Sequence, residues 1–394
     1  MIKTFSFKLY NNEKYLKEFD TQIGICRYIY NIAKELKENA YNANIKLTGF
    51  DICKQLTEAK KELPFLKQVH SQTLQAIIER LELTYQNYFR KLKNGEIAKL
   101  KAQYINKKTK KGLPISNKKL FSIGKPKWAK KDKYNTLTFK SLKITKKGFK
   151  LPKFGEVKVF NFKYLPEGKI KIANLVKKAD GLYINVIIEI TDKVRQNQTD
   201  NIVALDMGIT HFLTSSDGEV IENPKHLFKA QKELRKAQRK LSRKYKKEKT
   251  QSKNYLKQVK IVAKIYKKVA DTRKDFLHKI STKFANNYET IVIEDLNIQG
   301  MVRNTKLSKH ILDCSWGLFF DLLSSKTNII KVNCTYSSQE CSKCGHTCKE
   351  NRTTQSHFEC IKCGHIANAD FDASLVLLKR YKEGTSSISA NVDQ

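Results

Sequence analysis

The sequence predicts a multidomain α/β fold. The chain has 394 residues, which exceeds the usual size of a single domain, and 40% of them are apolar. From residue 201 onward, apolar runs and helical periodicity alternate in the order strand, strand, strand, helix, strand, helix, strand, helix. This order is compatible with an RNase H-like α/β core in the second half of the chain.

The N-terminal region predicts one strand followed by three helices. Residues 2–10 alternate apolar and polar side chains, as a strand does. Helical spacing begins at Glu13 and continues, with a break before Pro64, to about Gly95. Asp51 is the predicted N-cap of the second helix.

A β-rich region follows the helices. Residues 96–133 are basic, broken by Gly and Pro, and contain Trp128, which predicts a linker or a loop that contacts nucleic acid. Residues 134–192 hold many short apolar runs separated by glycine turns, which suggests a small β-barrel. The strand at 2–10 is expected to pair with this barrel, and the helices at 13–95 are then an insertion in it.

The second half begins after a polar joint at residues 196–201. Residues 227–287 predict a long, basic helical region. It either covers the sheet as a hairpin or lies beside a nucleic-acid strand, and both hold if its apolar stripe faces inward and its charges face outward. The stripe consists of residues 256, 259, 263, 266, 270, 277, 280 and 284. Later strands are predicted at 290–297 and 328–333 and a closing helix at 371–381, with an unstructured tail beyond.

The charge of the chain indicates a polyanionic partner. Lys and Arg number 77 against 38 Asp and Glu, for a formal net charge of +39. A single basic run is usually a solvated face, but self-repulsion on this scale calls for counter-charge, which nucleic-acid phosphates supply. A membrane surface is the rival partner. However, no apolar stretch reaches about 18 residues and no signal-peptide core is recognisable, so we expect a cytoplasmic protein that associates with the nucleoid when it binds DNA.

Four cysteines have the spacing of a zinc ribbon. Cys341 and Cys344 form one C-x-x-C pair, and Cys360 and Cys363 form another after fifteen intervening residues. Four thiolates in this arrangement are typical of a closed, tetrahedral structural zinc site. Such a site has no open coordination position, so zinc is expected to hold shape and not to perform hydrolysis.

The remaining cysteines predict no second site. Cys26, Cys53, Cys314 and Cys334 lie among apolar or mixed residues and are expected to be small buried hydrophobes. The other residues that remain possible zinc ligands, if one cysteine of the four is not a ligand, are Cys348, His346, His357 and His365. P-loop, GxSxG and HExxH motifs are missing from the sequence, which disfavours NTPase, esterase and zincin activities.

Three acidic residues form the candidate catalytic set. Asp206 and Glu294 follow apolar strands, and Asp370 opens the closing helix just after the second cysteine pair. Each alone is weak evidence, and Asp370 alone could be the N-cap of that helix. Together, strand-end carboxylates can hold two Mg²⁺ ions about 3.5–4 Å apart for phosphoryl displacement. The neighbouring Asp295 and Asp372 are the weaker candidates, because one should point to the opposite side of its strand and the other lies deeper in the helix.

Four long segments of the chain carry a resemblance to a known family. These are VALDMGI, IVIEDLNIQGMVRNTKLSKHILDCSWG, SSQECSKCGH and NRTTQSHFECIKCGHIANADFDAS. They resemble the TnpB family of transposon-encoded proteins, relatives of the miniature type V CRISPR effectors. The resemblance implies a RuvC-like nuclease domain interrupted by a zinc ribbon, and before it a helical recognition lobe inserted in a β-barrel wedge domain. It also implies a guide RNA derived from the transposon end and cleavage of double-stranded DNA beside a short adjacent motif.

The resemblance places functions on particular residues. Expected boundaries are the wedge at 1–12 and 120–196, the recognition lobe at 13–119, the nuclease domain at 197–332 and 366–381, the ribbon at 333–365 and the tail at 382–394. The family's catalytic triad falls on Asp206, Glu294 and Asp370. Arg352 stands where relatives often carry an arginine near the nuclease centre, so it either neutralises phosphate charge or is a surface arginine. The chain has Asp372 where relatives usually have Asn.

Three functions are consistent with these features. The first is an RNA-guided, Mg²⁺-dependent DNA endonuclease, which the intact triad favours. The second is a DNA-binding regulator without cleavage, which retained binding with no Mg²⁺-dependent cutting would indicate. The third is a transposase proper, which strand-transfer products formed on transposon ends without RNA would indicate.

Overall fold

The computed structural model describes residues 2–10, 12–131, 134–190, 201–248, 250–304 and 307–390. The chain divides into two units, Met1–Asp192 and Lys193–Gln394. Apart from Asn201, the joint predicted at 196–201 lies outside the described residues. None of the helices in the described ranges has both the length and the hydropathy of a membrane span.

The first unit combines helices with two small sheets. Its elements are β1 (Ile2–Lys8), α1 (Asn12–Asn42), α2 (Gly49–Glu62), α3 (Ser71–Lys93), α4 (Glu96–Thr109), α5 (Asn117–Ser122), β2 (Thr136–Phe139), β3 (Lys143–Thr145), β4 (Gly148–Leu151), β5 (Gly155–Lys158), β6 (Lys169–Lys178) and β7 (Gly181–Glu189).

Helix α2 begins with a capping box. The Thr48 hydroxyl oxygen accepts a hydrogen bond from the Asp51 backbone N–H, and the Asp51 carboxylate accepts one from the Thr48 N–H at 2.9 Å. The prediction of Asp51 as the N-cap is therefore wrong, because Asp51 occupies the third helical position of the box and Thr48 is the cap. The predicted break before Pro64 is confirmed, since α2 ends at Glu62.

Part of the predicted linker at 96–133 is helical. Helices α4 and α5 lie inside it, and Ile97 at the start of α4 is buried. The prediction of a linker is wrong there, because the Ala, Leu, Lys and Gln residues of α4 are strong helix formers whose high charge resembles that of a loop. Trp128 lies beyond α5 and is about half exposed, and the Lys34 ammonium stands 3.8 Å from the centre of its ring.

The β-strands of the first unit form two antiparallel sheets, with the orders β1-β7-β6-β2 and β3-β4-β5. Strand β1 pairs with β7 along its whole length, from Ile2 opposite Glu189 to Lys8 opposite Tyr183. This confirms the predicted pairing of the opening strand with the later β region. Helices α1–α3 are inserted between β1 and β2, as expected, and α4 and α5 follow them in the same insertion.

The predicted barrel is not closed. Strands β1 and β2 are the two edges of the four-stranded sheet, and they do not pair with each other within the described ranges. The short strands β3–β5 turn back on one another, and Gly155, the first residue of β5, has φ +96°. The small sheet meets the end of β1 through the bridge between Leu9 and Val159. Strands β3–β5 therefore form a separate meander and do not extend the four-stranded sheet into a barrel.

The second unit is built on a mixed sheet. Its elements are β8 (Ile202–Met207), β9 (His211–Ser215), β10 (Val220–Glu222), α6 (His226–Lys244), α7 (Lys253–Asn287), β11 (Thr290–Glu294), α8 (Ile298–Asn304), α9 (Ser308–Cys314), α10 (Trp316–Ser324), β12 (Asn328–Val332), β13 (His357–Glu359), β14 (Ile366–Asn368) and α11 (Ala369–Ala390). The five-stranded sheet has the order β10-β9-β8-β11-β12. Strands β8, β9 and β10 are antiparallel, and β8, β11 and β12 are parallel.

Different helices pack on the two faces of this sheet. On β8, Val203 and Leu205 join a core with Phe284 of α7 and Phe319 of α10. Their neighbour Ala204 packs on the other face, in a cluster with Leu377 of α11 and Val292 of β11. Because successive strand residues alternate between faces, every second residue of β8 and β11 points toward α11.

Helices α6 and α7 form the predicted hairpin, but the predicted stripe is wrong over its first half. Leu277 and Phe284 are buried as expected, whereas Leu256, Val259 and Tyr266 are exposed. The buried positions in the first half of α7 are Gln258, Val262, Ile265 and Val269, which lie on the same side as the α6 contact. Helix α7 carries apolar residues on two faces. Helix α6 covers the face that contains Val262 and Ile265, and the predicted stripe follows the other face.

The closing helix is longer than predicted. It was expected at 371–381 with an unstructured tail from 382, yet α11 runs from Ala369 to Ala390. The tail prediction is wrong to that point, and residues 391–394 lie outside the described residues.

Candidate active site and metal centre

Asp206 and Glu294 lie side by side at the ends of parallel strands. Ile293 of β11 stands opposite Leu205 of β8, so the next residue of each strand is the acidic one. Both follow residues that face the α7 side, and alternation therefore turns both carboxylates toward α11. Glu294 is 7% exposed, and its Oε2 accepts a hydrogen bond from the Met207 backbone N–H at 3.1 Å.

Asp370 occupies the first turn of α11, and Asn368 is the residue that caps this helix. The Asn368 side-chain oxygen accepts hydrogen bonds from the backbone N–H groups of Asp370 at 3.0 Å and Phe371 at 3.2 Å. The alternative in which Asp370 is the N-cap is thus wrong, and its carboxylate is free for another role. Sequence reasoning missed Asn368, although Asn two residues before an acidic helix start is a recognisable capping signal.

The three carboxylates share one electrostatic environment. Burial raises the pKa of Asp206 well above its ordinary value, and the charges of Glu294 and Asp370 raise it further while Arg352 opposes them. Burial also raises the pKa of Glu294 to about 7, against the hydrogen bond from Met207 and with a further increase from Asp370. The protein thus brings together three acidic groups whose negative charge its own cations compensate only in part. Bound divalent ions would lower the pKa values of these groups again.

Arg352 contacts the third carboxylate. Its Nη2 donates hydrogen bonds to Asp370 Oδ1 at 3.0 Å and to the Gln355 carbonyl at 2.6 Å. Gln355 in turn donates from its side chain to the Thr210 hydroxyl at 2.7 Å, which links this segment to the loop after β8. The structure therefore places Arg352 beside the acidic cluster, with only about a quarter of its side chain exposed.

The four predicted zinc cysteines converge. All four sulfur atoms of Cys341, Cys344, Cys360 and Cys363 lie within 4.8 Å of one another. The Cys341–Cys363 and Cys344–Cys360 sulfur pairs are 3.7 and 3.6 Å apart. Sulfurs on a tetrahedron with zinc–sulfur bonds of about 2.3 Å lie about 3.8 Å apart, so these residues fit a structural zinc ion.

No other group of three or more His, Cys, Asp or Glu residues within the described ranges brings its ligand atoms this close together, and the three carboxylates do not. A pair of ions spreads its ligands more widely than one ion does. The alternative ligands are not needed: the Cys348 thiol contacts Glu350 at 2.5 Å, and His365 lies 3.0 Å from Asp372. Cys26 and Cys314 are buried as expected, whereas Cys53 and Cys334 are only partly buried.

The two weaker acidic candidates lie away from the cluster. Asp295 is two-thirds exposed and stands 3.6 Å from the Lys331 ammonium. Asp372 is fully buried, and it accepts hydrogen bonds from the cysteine-bearing segment instead of facing the strands.

Replacing Glu294 by Gln is expected to stabilise the magnesium-free protein at alkaline pH. The pKa of Glu294 in the folded protein lies above the ordinary value of 4.5, so folding favours the protonated form. The free energy of unfolding therefore falls as the pH rises from about 4.5 through about 7. Gln keeps the acceptor for Met207 without the charge. We expect a gain of about 1–3 kcal/mol at pH 8.5 and none at pH 4.5, measured by denaturant unfolding in magnesium-free buffer. Asp295→Asn is the control, and equal pH dependence of wild type and Glu294→Gln would contradict the assignment.

Family models match three parts of the chain. The one described as "Probable transposase" matches residues 185–305, and "Cas12f1-like, TNB domain" matches residues 316–377. A model described as "Helix-turn-helix domain" matches residues 1–46. In the structure this last segment contains β1 and the single helix α1.

Solved structures of protein–nucleic-acid complexes align with most of the chain at low identity. The Cas12f1–sgRNA–target DNA complex is 17% identical, covers 96% of this chain and 98% of its own, and has a TM-score of 0.33. CasPhi-2 (Cas12j) bound to crRNA and phosphorothioate-DNA is 11% identical over 96% of this chain and 91% of its own, with a TM-score of 0.49.

Sequence relatives cover nearly the whole chain. "Putative RNA-guided DNA endonuclease InsQ" of Escherichia coli (strain K12) is 30% identical over 96% of this chain and 92% of its own length. "Putative RNA-guided DNA endonuclease" of Streptomyces pristinaespiralis is 28% identical over 87% of this chain and 80% of its own. This identity over almost the full length of both chains, together with the transposase-family match, shows that the chain belongs to the TnpB family of transposon-encoded proteins.

Proposed function

We propose that this chain is an RNA-guided DNA endonuclease of a transposable element, whose active site is the cluster of Asp206, Glu294 and Asp370. The observation that carries the proposal is the geometry of the second unit: two parallel strands end in carboxylates that face the first turn of α11. The full-length relatives named as RNA-guided DNA endonucleases support it.

The second unit is then an RNase H-like, RuvC-type nuclease domain at 197–332 and 366–381, with the ribbon at 333–365 inserted in it. Its sheet order and the sequence of strands and helices support this assignment. In the first unit, we assign the helices at 13–119 to the recognition lobe. Strands β1 and β2–β7, which fall within the expected bounds 1–12 and 120–196, belong to the wedge domain as open sheets and not as the predicted barrel.

We infer that two Mg²⁺ ions bind at the acidic cluster, where Asp206, Glu294 and Asp370 would hold them. When bound, they supply activation of water and stabilisation of the leaving 3′ oxygen. Met207 holds the Glu294 carboxylate in orientation through its backbone N–H. Arg352 holds Asp370 and brings a positive charge to the place where the scissile phosphate develops negative charge.

Recognition of the target is assigned to base pairing between a guide RNA and DNA. The protein then binds the nucleic-acid backbones without reading their sequence, which the net charge of +39 suits. The guide is expected to derive from the transposon end, and the protein to cut double-stranded DNA beside a short adjacent motif.

The test is guided cleavage by the purified complex. Protein is purified with its co-expressed RNA, the RNA is sequenced, and cutting of DNA with a matching target is compared with cutting of a scrambled target. We expect magnesium-dependent cutting of the matched DNA alone. Tight binding without cutting would favour the DNA-binding regulator, and RNA-independent joining of transposon ends would favour the transposase.

A further inference from the structure

Asp372 is a fully buried carboxylate with three polar contacts, all to the cysteine-bearing segment at 341–365. The Ser342 backbone N–H donates to its Oδ2 at 3.2 Å, and the Ser342 hydroxyl donates to its Oδ1. The His365 Nε2 lies 3.0 Å from the same Oδ1. The exposed fraction of Asp372 is 0%, so its carboxyl oxygens depend on these three groups for the hydrogen bonds that water would otherwise supply.

The three donors come from both halves of the cysteine cluster. Ser342 lies between Cys341 and Cys344, and His365 follows Cys363 by two residues. A single side chain of α11 therefore joins the two cysteine knuckles, which also meet at their sulfurs, in a small buried cluster and through Asn351. Asn351 donates to the His346 carbonyl and accepts from the Ile361 N–H within the ribbon. Groups bonded around a metal site in this way orient its ligands.

Asp372 also stands two residues after Asp370 in the first turn of α11. Successive helical residues are rotated by about 100°, so the two side chains project in directions about 200° apart. One carboxylate faces the Arg352 side and the strand-end acids, and the other faces the knuckles. The same turn of helix is thus attached to the ribbon on one side and carries a proposed catalytic group on the other.

We propose that Asp372 is a positioning residue that fixes the first turn of α11 to both cysteine knuckles and so holds Asp370 beside Asp206 and Glu294. This inference rests on the proposed nuclease function for its catalytic consequence. Its structural consequence, the joining of the two knuckles, does not depend on that function. The ribbon then supports the nuclease site through Asp372 as well as through Arg352.

The test compares Asp372→Ala with Asp372→Asn. Ala removes every contact. Asn has the same shape: its amide oxygen accepts from the Ser342 N–H, and its amide nitrogen donates to His365 Nε2 when the imidazole carries its proton on Nδ1. Two rates are measured: zinc transfer from the protein to a coloured chelator, and single-turnover cutting of matched DNA by the RNA complex. We expect Ala to slow cutting and to speed zinc loss by about 10- to 100-fold each, and Asn to restore both to within about threefold of wild type.

Glu340→Gln is the matched control, because Glu340 also joins the ribbon to α11, through Arg380, but away from the first turn. Arg380 keeps its bonds to the carbonyls of Asn333 and Thr335, and both rates should stay at wild-type values. If Asp372→Ala does not fold, Ser342→Ala is used in its place, because it removes only the hydroxyl bond to Asp372. We expect this variant to lose zinc faster and to cut DNA more slowly than wild type.

Wild-type rates in Asp372→Ala, or in Ser342→Ala where the first variant does not fold, would overturn the inference. Equal damage in Asn and Ala would also overturn it, since Asn keeps the bridging bonds. A wild-type complex that cuts no matched DNA would contradict the proposed function instead, and the zinc-transfer rates would still decide whether Asp372 joins the knuckles.

Discussion

Replacing Asp206 by Asn should reduce guided cutting of DNA by about 1,000-fold or more, because Asn preserves shape but removes the charge that holds a divalent cation. Burial and the charges of both other carboxylates raise the pKa of Asp206, so its carboxylate interacts electrostatically with each of them. The measurement is single-turnover cutting of matched DNA by protein–RNA complexes of equal concentration.

The control for this prediction is Asp295→Asn. Asp295 follows Glu294 in the chain, but it is two-thirds exposed and stands near Lys331 instead of the cluster. Its replacement should leave cutting within about twofold of wild type, since an exposed ion pair contributes little. Both variants should bind RNA as wild type does. An Asp206→Asn complex that cuts as fast as wild type would remove Asp206 from the catalytic set.

Loss of one zinc ligand should unfold the ribbon. The buried apolar cluster of this segment contains only Cys341, Phe358, Cys360 and Ala369, which is too small a core to fold without a metal. Cys341→Ser removes a fully buried thiolate, and bound zinc should fall from one ion per chain to less than about 0.1. The segment 341–363 should become sensitive to protease, which is measured by limited proteolysis with mass spectrometry.

Cutting should be lost together with the zinc. Arg352, Ser342 and His365 all belong to the ribbon segment and contact the first turn of α11. When that segment unfolds, the position of Asp370 is no longer fixed. Cys348→Ser is the control, because Cys348 contacts Glu350 and lies outside the sulfur cluster. It should retain zinc, protease resistance and cutting, and a Cys341→Ser protein that retains all three would contradict the structural role of the site.

The placement of the acidic cluster could be predicted because it depends on strong and local patterns. The apolar runs before Asp206 and Glu294 are long enough to specify buried strands, and parallel neighbours bring their ends to one edge of a sheet. The cysteine spacing is equally local, since each C-x-x-C pair forms its own turn. Both patterns depend little on the rest of the fold.

Other features depend on partners that lie far away in the sequence. Helix α7 has two apolar faces, and the contact with Leu234 and Ala237 of α6 decided which one was buried. The β3–β5 meander formed its own sheet because its strands turn back on each other, while β1 and β2 stayed at the sheet edges. Tertiary contacts of this kind override local spacing and propensity.

The buried role of Asp372 was also beyond sequence reasoning. Nothing in the chain near Asp372 indicates that its partners are Ser342 and His365. Two carboxylates separated by one residue look equivalent in the sequence, and the helical rotation between them gives each a different neighbour.

Anomalous diffraction from Mn²⁺ tests the central claim most directly. Crystals of the protein–RNA complex with uncut target DNA would be grown with Mn²⁺ in place of Mg²⁺, for wild type and for Asp206→Asn. We predict manganese peaks between Asp206, Glu294 and Asp370 in the wild type and their loss in the variant. A wild-type complex that cuts DNA with Mn²⁺ in solution but binds its manganese away from these three carboxylates would contradict the account.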